Sequence, residues 1–286
     1  MPNPFAIKAH YLERNAGEIE VLIIGSSHHQ NGLNPEFFSE KTCNLAYGSQ
    51  DIQLDSALVF HNIEKLTKLK KIVFELDPHR IDLRNDPGYF RYPWYHIYYG
   101  IDVVPIPWIS RFSLYSSNVL FFNDNLIADV TGKSKQKGIN EFGYVYKNHE
   151  SSFRDIAFDS VHIKTTEKER LVNKCKPLSP ESEIVANENR IRSIVDYCKA
   201  HNIELFFLTS PVYKTYRETM PSERMARFHQ LVAELKKQYG IHYLDSSSDP
   251  DFKLTDFADD DHLNPDGAKK YSKKVDLFIN NKLPGN

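Results

Sequence analysis

The chain has 286 residues, of which 41% are hydrophobic and only 12 are glycine; this is too rich in large apolar groups for a disordered chain and too poor in Gly for a collagen-like one. With 36 Lys plus Arg against 38 Asp plus Glu and no basic run longer than Lys68, Lys70 and Lys71, nothing draws in nucleic acid, which is not an expected partner. Cys43, Cys175 and Cys198 form no CxxC pair, so neither a disulfide framework nor a zinc knuckle is encoded.

The first fifteen residues carry Lys8, His10, Glu13 and Arg14 in place of a signal-peptide core, and no apolar stretch of about 18 residues occurs anywhere, so the chain reads as soluble with no membrane-spanning segment. The first strand begins by about residue 19, which leaves room for an anchor or signal segment ahead of the sequence. Residues 18–25 form a continuous aliphatic run stopped by Gly25, the pattern of a buried parallel strand. A weaker second strand covers 42–46, and 71–76 is a clear third; between them Ile52, Val59, Ile63 and Leu66 follow helical spacing. Strands at 203–209 and 242–245 each follow a helix, at about 182–201 and 222–239, and a last helix starts at Pro265, which suits a first helical turn. Strands alternating with helices predict one α/β domain over 1–286, a three-layer α/β/α sandwich on a five-stranded parallel, flavodoxin-like sheet, with ligands outside the carboxyl ends of the strands.

Residues 84–180 break this rhythm as an insertion after strand three. Seven aromatics fall within Tyr89–Tyr99. One reading is a subdomain that covers a sheet edge with a small aromatic core of its own; the other is a substrate lid whose wall, Trp94 and Tyr95, stacks on a sugar ring.

Two segments carry chemistry. Gly25-Ser26-Ser27-His28-His29 is a sharp strand-to-helix turn that presents a serine hydroxyl, although both serines also suit plain helix capping. Asp259-Asp260-Asp261-His262 follows strand five, and a carboxylate three residues ahead of a histidine can orient its ring toward a serine. Loops after strands one and five open on the same edge of a doubly wound sheet, so Ser27 and His262 are expected to meet across 235 positions. A mixed metal site from His28, His29, His262 and the aspartates is the competing arrangement, disfavoured because adjacent helical residues point in different directions; His28 reads better as a pocket wall.

In these segments the chain resembles the SGNH (GDSL-like) hydrolase and acyltransferase superfamily. Gly25-Ser26-Ser27 resembles its first block with Ser in place of the usual middle Asp, Asn44-Leu45-Ala46-Tyr47-Gly48-Ser49 its second, and Asp259 to Asn264 its last. The resemblance implies Ser27 as nucleophile, His262 as base, Asp259 as orienter and Gly48 as a backbone oxyanion donor, with no cofactor and no metal. The family's Gly-x-Asn-Asp block is missing; Glu75-Leu76-Asp77-Pro78-His79-Arg80 stands there, and Asn44, Ser49, Gln50, His79 and Arg80 are the candidates to replace its oxyanion Asn. This variant pattern resembles bacterial exopolysaccharide and teichoic-acid modification proteins, which implies a location outside the cytoplasmic membrane. The expected activity is serine-dependent hydrolysis or transfer of a short acyl group on a glycan or similar alcohol, the expected partner being that small-molecule or glycan ester. The alternative is a catalytically weak glycan-binding or scaffold protein that keeps the fold.

Overall fold

A computed structural model describes residues 4–108, 138–146 and 178–281; Cys175 and much of the 84–180 insertion lie outside them. Five strands, β1 (Val21–Ile24), β2 (Thr42–Asn44), β3 (Lys71–Glu75), β4 (Glu204–Thr209) and β5 (His242–Asp245), pair in parallel in the order β2-β1-β3-β4-β5. This is the expected flavodoxin-like order. The described helices are α1 (Pro4–Asn15), α2 (Ser27–Gly32), α3 (Ile52–Asn62), α4 (Tyr92–Tyr99), α5 (Glu181–Ala200), α6 (Lys214–Thr219), α7 (Ser222–Tyr239) and α8 (Pro265–Ile279).

β1 is internal, with Val21 opposite both Thr42 of β2 and Lys71 of β3, and all four of its residues are buried. A strand covered on both faces has no reason to alternate polar with apolar residues, and its continuous aliphatic run reflects this. Side chains leave the sheet alternately up and down, dividing the core into two layers. Leu22, Ile24, Ile72, Phe74 and Phe207 pack with the buried stripe of α7, Phe228, Leu231, Val232 and Leu235, and with α3 and α5. Val21, Ile23, Val73, Phe206 and Leu208 pack on the other side against Tyr271, Val275 and Phe278 of α8. At about 2 kcal/mol per fully buried aliphatic or aromatic side chain, these stripes are what hold the helices to the sheet.

Helix α1 has no counterpart in the sequence reading. Its apolar face is interrupted by Lys8, which is itself buried and donates from Nζ to the Ala46 carbonyl at 2.6 Å; burial pushes that amine down to about 7. The interruption hides the helical period, while Phe5, Tyr11 and Leu12 still face the core. Phe5 meets Tyr47, Tyr95 and Trp94 with ring centroids 4.1, 5.1 and 5.3 Å apart. The described aromatics of the insertion therefore do not enclose a separate core: Tyr92, Tyr95 and Tyr99 join the same cluster as the sheet. Among the described residues no helix is long and apolar enough to cross a membrane.

Candidate active site

The turn after β1 is built around a buried carboxylate. Gly25 has φ +147, and a Cβ there would lie 2.6 Å from both Cβ and Oε2 of Glu75, so only glycine fits. Glu75, at the end of β3, accepts from the Ser26 N–H at 2.7 Å and the His29 N–H at 2.9 Å, and also from the Ser26 hydroxyl. Burial opposes its charge, but Arg80, whose Nε lies 3.6 Å from Oε1, helps hold the Glu75 carboxyl well below the usual range. Ser26 is thereby buried and committed to Glu75, which leaves Ser27, half-buried at the first position of α2, as the serine facing the strand ends.

The second half of the site is a short closed loop. Phe257 and Leu263 form an antiparallel bridge, the Ala258 N–H donates to the His262 carbonyl at 2.9 Å, and Asn264 caps α8 by accepting from the N–H groups of Asp266 and Gly267. Within it Asp259 accepts the His262 N–H at 2.7 Å and faces the ring Nδ1 with both oxygens, at 2.9 and 3.0 Å. The remaining ring nitrogen, Nε2, lies 2.8 Å from the Ser27 hydroxyl. Nδ1 bonded to a carboxylate carries the proton, so in the neutral ring Nε2 is the acceptor.

A second carboxylate joins the first. Asp261 Oδ1 lies 3.1 Å from His262 Nδ1, and its Oδ2 is 3.4 Å from Nε2 of His28. Burial disfavours charge on His262, yet Asp261 and Asp259 outweigh it and raise the ring to about 9. His28 is buried, with Nδ1 2.5 Å from Asp77, and Asp77 is fixed in turn by the Ser210 N–H at 2.9 Å. Burial again opposes the charge, and Asp77 together with Asp261 raises His28 well above the usual imidazole range. Asp77, His28, Asp261, His262 and Ser27 thus form one chain of contacts across the carboxyl edge of the sheet. Donor atoms of His28, Asp261 and His262 lie close enough to suit a metal ion, as do those of His28, Asp77 and His79. At His28 an ion would have to displace the proton shared with Asp77 across 2.5 Å.

Three of the five candidates for the missing oxyanion donor, Asn44, Gln50 and Arg80, have side chains committed elsewhere. The Asn44 amide donates to the carbonyls of His29 and Leu33 at 3.0 and 2.7 Å. Gln50 donates to Asp55 at 2.6 Å and accepts from the Tyr95 hydroxyl at 2.6 Å. Arg80 donates to the carbonyls of Glu75 and Gln50 and to Asp55. His79 packs against His28 with centroids 4.7 Å apart, and burial drives it well below the usual range, hence neutral. Ser49 takes the left-handed turn conformation at φ 60, and its carbonyl accepts from Asn85 at 2.8 Å.

The expectation for Gly48 needs correction: its N–H, assigned to the oxyanion, donates instead to Oε1 of Gln30 at 2.7 Å. Its carbonyl accepts from Arg91 at 2.6 Å and from the Tyr89 hydroxyl at 3.1 Å. Gln30, three residues after Ser27 on α2, was not singled out in the sequence, since a helical glutamine carries no signal of its own.

Tyr95 also departs from expectation. It is 1% exposed, in the aromatic core with its hydroxyl on Gln50, and so forms no substrate wall. Trp94, the preceding residue on α4, lines a groove of about 530 Å³ together with Tyr89, Phe90, Pro105 and Ile106. His28 lines a cavity of about 90 Å³ with Val212, Met220, Met225 and Phe228 among its other walls. Glu75 and Asp77 were not singled out as site residues because Ser26, His29 and His28, which they bind, lie 46 or more positions away in the chain; Asp261, considered only as a possible metal ligand, reaches His28 across 233 positions.

No protein-family model matches the chain, and no curated protein matches it. Among solved structures, the chain is similar to a candidate acylhydrolase from Bacteroides fragilis at 10% identity and TM-score 0.45, covering 96% of each chain. It is also similar to a GDSL-like lipase from Bacteroides thetaiotaomicron at 10% identity and TM-score 0.45, covering 97% of this chain and 99% of the other.

Proposed function

We propose that this chain is a serine-dependent O-acyl ester hydrolase or O-acyltransferase acting on short acyl groups of a glycan or similar alcohol, without metal or cofactor. The observation that carries this is the unbroken line from Asp259 through His262 to the Ser27 hydroxyl, with contacts of 2.9 and 2.8 Å. Ser27 Oγ attacks the acyl carbonyl carbon while His262 Nε2 takes its proton, and the carbonyl π electrons move to oxygen. On collapse the bond to the leaving alcohol breaks and His262 returns the proton to that alcohol. Water or a second alcohol, deprotonated by His262, then attacks the acyl carbon; the bond to Ser27 Oγ breaks and His262 returns the proton to that oxygen, water making a hydrolase and a sugar hydroxyl a transferase. Asp259 and Asp261 stabilise the imidazolium that forms between these steps.

The small enclosed space beside His28 supports a short acyl chain, and the Trp94 groove supports a ring-shaped alcohol with an apolar face. The test is labelling with a fluorophosphonate followed by peptide mapping. Modification at Ser27 is expected, and it disappears in His262→Ala. A folded protein left unlabelled refutes the reading in favour of a glycan-binding or scaffold protein. An ester series from acetyl upward on a sugar checks the substrate, with acetyl preferred; a preference for long chains removes the short-acyl assignment.

A further inference from the structure

We propose that Gln30 is a catalytic residue, its side-chain amide supplying the hydrogen-bond donor to the oxyanion that the missing Asn would otherwise give; this rests on the serine reading of the same site. Three observations converge on it. First, the orientation of the amide is determined by chemistry: a backbone N–H can only donate, so the end of Gln30 that meets the Gly48 N–H at 2.7 Å is the oxygen. The NH2 end then points away from Gly48 and carries no hydrogen bond to any described residue. Second, the amide and the nucleophile border the same point in space. The point that a Gly48 side chain would occupy is 3.4 Å from Gln30 Oε1 and 3.9 Å from Ser27 Cβ, and Ser27 and Gln30 lie at i and i+3, on one face of α2. Third, the anchor is itself held. Arg91 donates to the Gly48 carbonyl at 2.6 Å and to the Tyr89 hydroxyl at 2.8 Å, with its guanidinium carbon 5.1 Å from the Tyr47 ring centre. The carbonyl of the peptide that carries the Gly48 N–H, that of Tyr47, accepts from the Gln50 N–H at 2.9 Å, so this turn is fixed on both sides of Gly48.

Gln30 thus uses its acceptor for anchoring and keeps its donors for the substrate. A donor anchored before the reaction begins stabilises the developing charge without reorganising, and removing one such donor typically lowers turnover about a hundredfold to a thousandfold. When Ser27 Oγ adds to the carbonyl carbon, the oxygen that gains the electron pair accepts from Gln30 Nε2; no proton moves to or from Gln30.

The decisive variant is Gln30→Glu, which keeps an acceptor for the Gly48 N–H but replaces both donors with an acceptor-only oxygen. It is expected to lower kcat on an acetyl ester at least about a hundredfold with KM changed less than about threefold. A boronic acid, whose tetrahedral adduct on Ser27 imitates the oxyanion, is expected to lose affinity in parallel with kcat. Gln30→Ala, which loses the anchor as well, should fall at least as far, and circular dichroism and thermal melting verify that both variants are folded. A purely structural role for Gln30 would instead make Gln30→Glu, which keeps the anchor, nearly as active as wild type. Wild-type protein labelled at Ser27 by fluorophosphonate, with Gln30→Glu fully active or with boronate affinity unaltered, overturns this inference and leaves the serine mechanism standing. Failure of wild-type protein to label or hydrolyse overturns both.

Discussion

Replacing Asp261 by Asn should make the protein a better base catalyst at neutral pH. His262 is raised to about 9, and after the opposing effect of burial the largest contributor is Asp261, with Oδ1 3.1 Å from Nδ1, ahead of Asp259. At that value only about one molecule in a hundred has the neutral, proton-accepting ring at pH 7. An opposite charge at this distance is worth about one unit or more, so Asp261→Asn should bring the ring to about 8 and increase the competent fraction roughly tenfold. Asp259 still holds Nδ1 through both oxygens, so the tautomer is unaltered. The assay is kcat/KM for an acetyl ester between pH 5.5 and 10 with the uncatalysed rate subtracted: the rising limb, centred near 9 in the wild type, should shift about one unit toward acid. Stability follows the same linkage with the opposite benefit. A histidine whose pKa is raised on folding from its ordinary 6.5 to about 9 stabilises by about 3 kcal/mol below pH 6.5, and this is lost as pH rises through 9. Urea unfolding of the wild type should therefore show that loss between pH 6 and 10, and Asp261→Asn a smaller one. A rising limb that stays in place, or moves to higher pH, refutes this account of the charge around His262.

The two neighbouring serines should separate cleanly. Ser27→Ala should lower ester hydrolysis at least about a thousandfold with the fold intact, whereas Ser26→Ala, which removes only a hydroxyl bonded to Glu75, should show mainly as a lower melting temperature. Glu75→Leu removes the acceptor of two backbone N–H groups and leaves Arg80 with Asp55 as its remaining carboxylate partner; a loss of about 3–5 kcal/mol in urea unfolding is expected, and a loss below about 1 kcal/mol would show that the turn does not depend on it. Treatment with EDTA should leave hydrolysis unchanged, because the proposed step uses a base and hydrogen-bond donors and needs no Lewis acid; activity lost on chelation and restored by zinc would reassign His28, Asp261 and His262 as ligands.

Much of the architecture was legible in the sequence because it follows from local pattern. An uninterrupted aliphatic run at Val21–Ile24, the apolar stripe of Phe228, Leu231, Val232 and Leu235, and the Asn264-Pro265 helix start each report their structure through spacing and residue type alone. The alternation of strands and helices then restricts the sheet order, and with it the meeting of Ser27 and His262. What lay beyond the sequence depends on side chains that meet only after folding. Whether Ser26 or Ser27 faces outward is decided by Glu75, 49 positions away from Ser26. Whether Gly48 offers its N–H is decided by Gln30, and whether a tyrosine in the Tyr89–Tyr99 stretch is wall or core is decided by Phe5 of a helix whose period Lys8 conceals. Hydrogen bonds and buried charges are short-ranged and directional, so their partners are selected by the tertiary arrangement; hydrophobic periodicity needs only the neighbours along the chain.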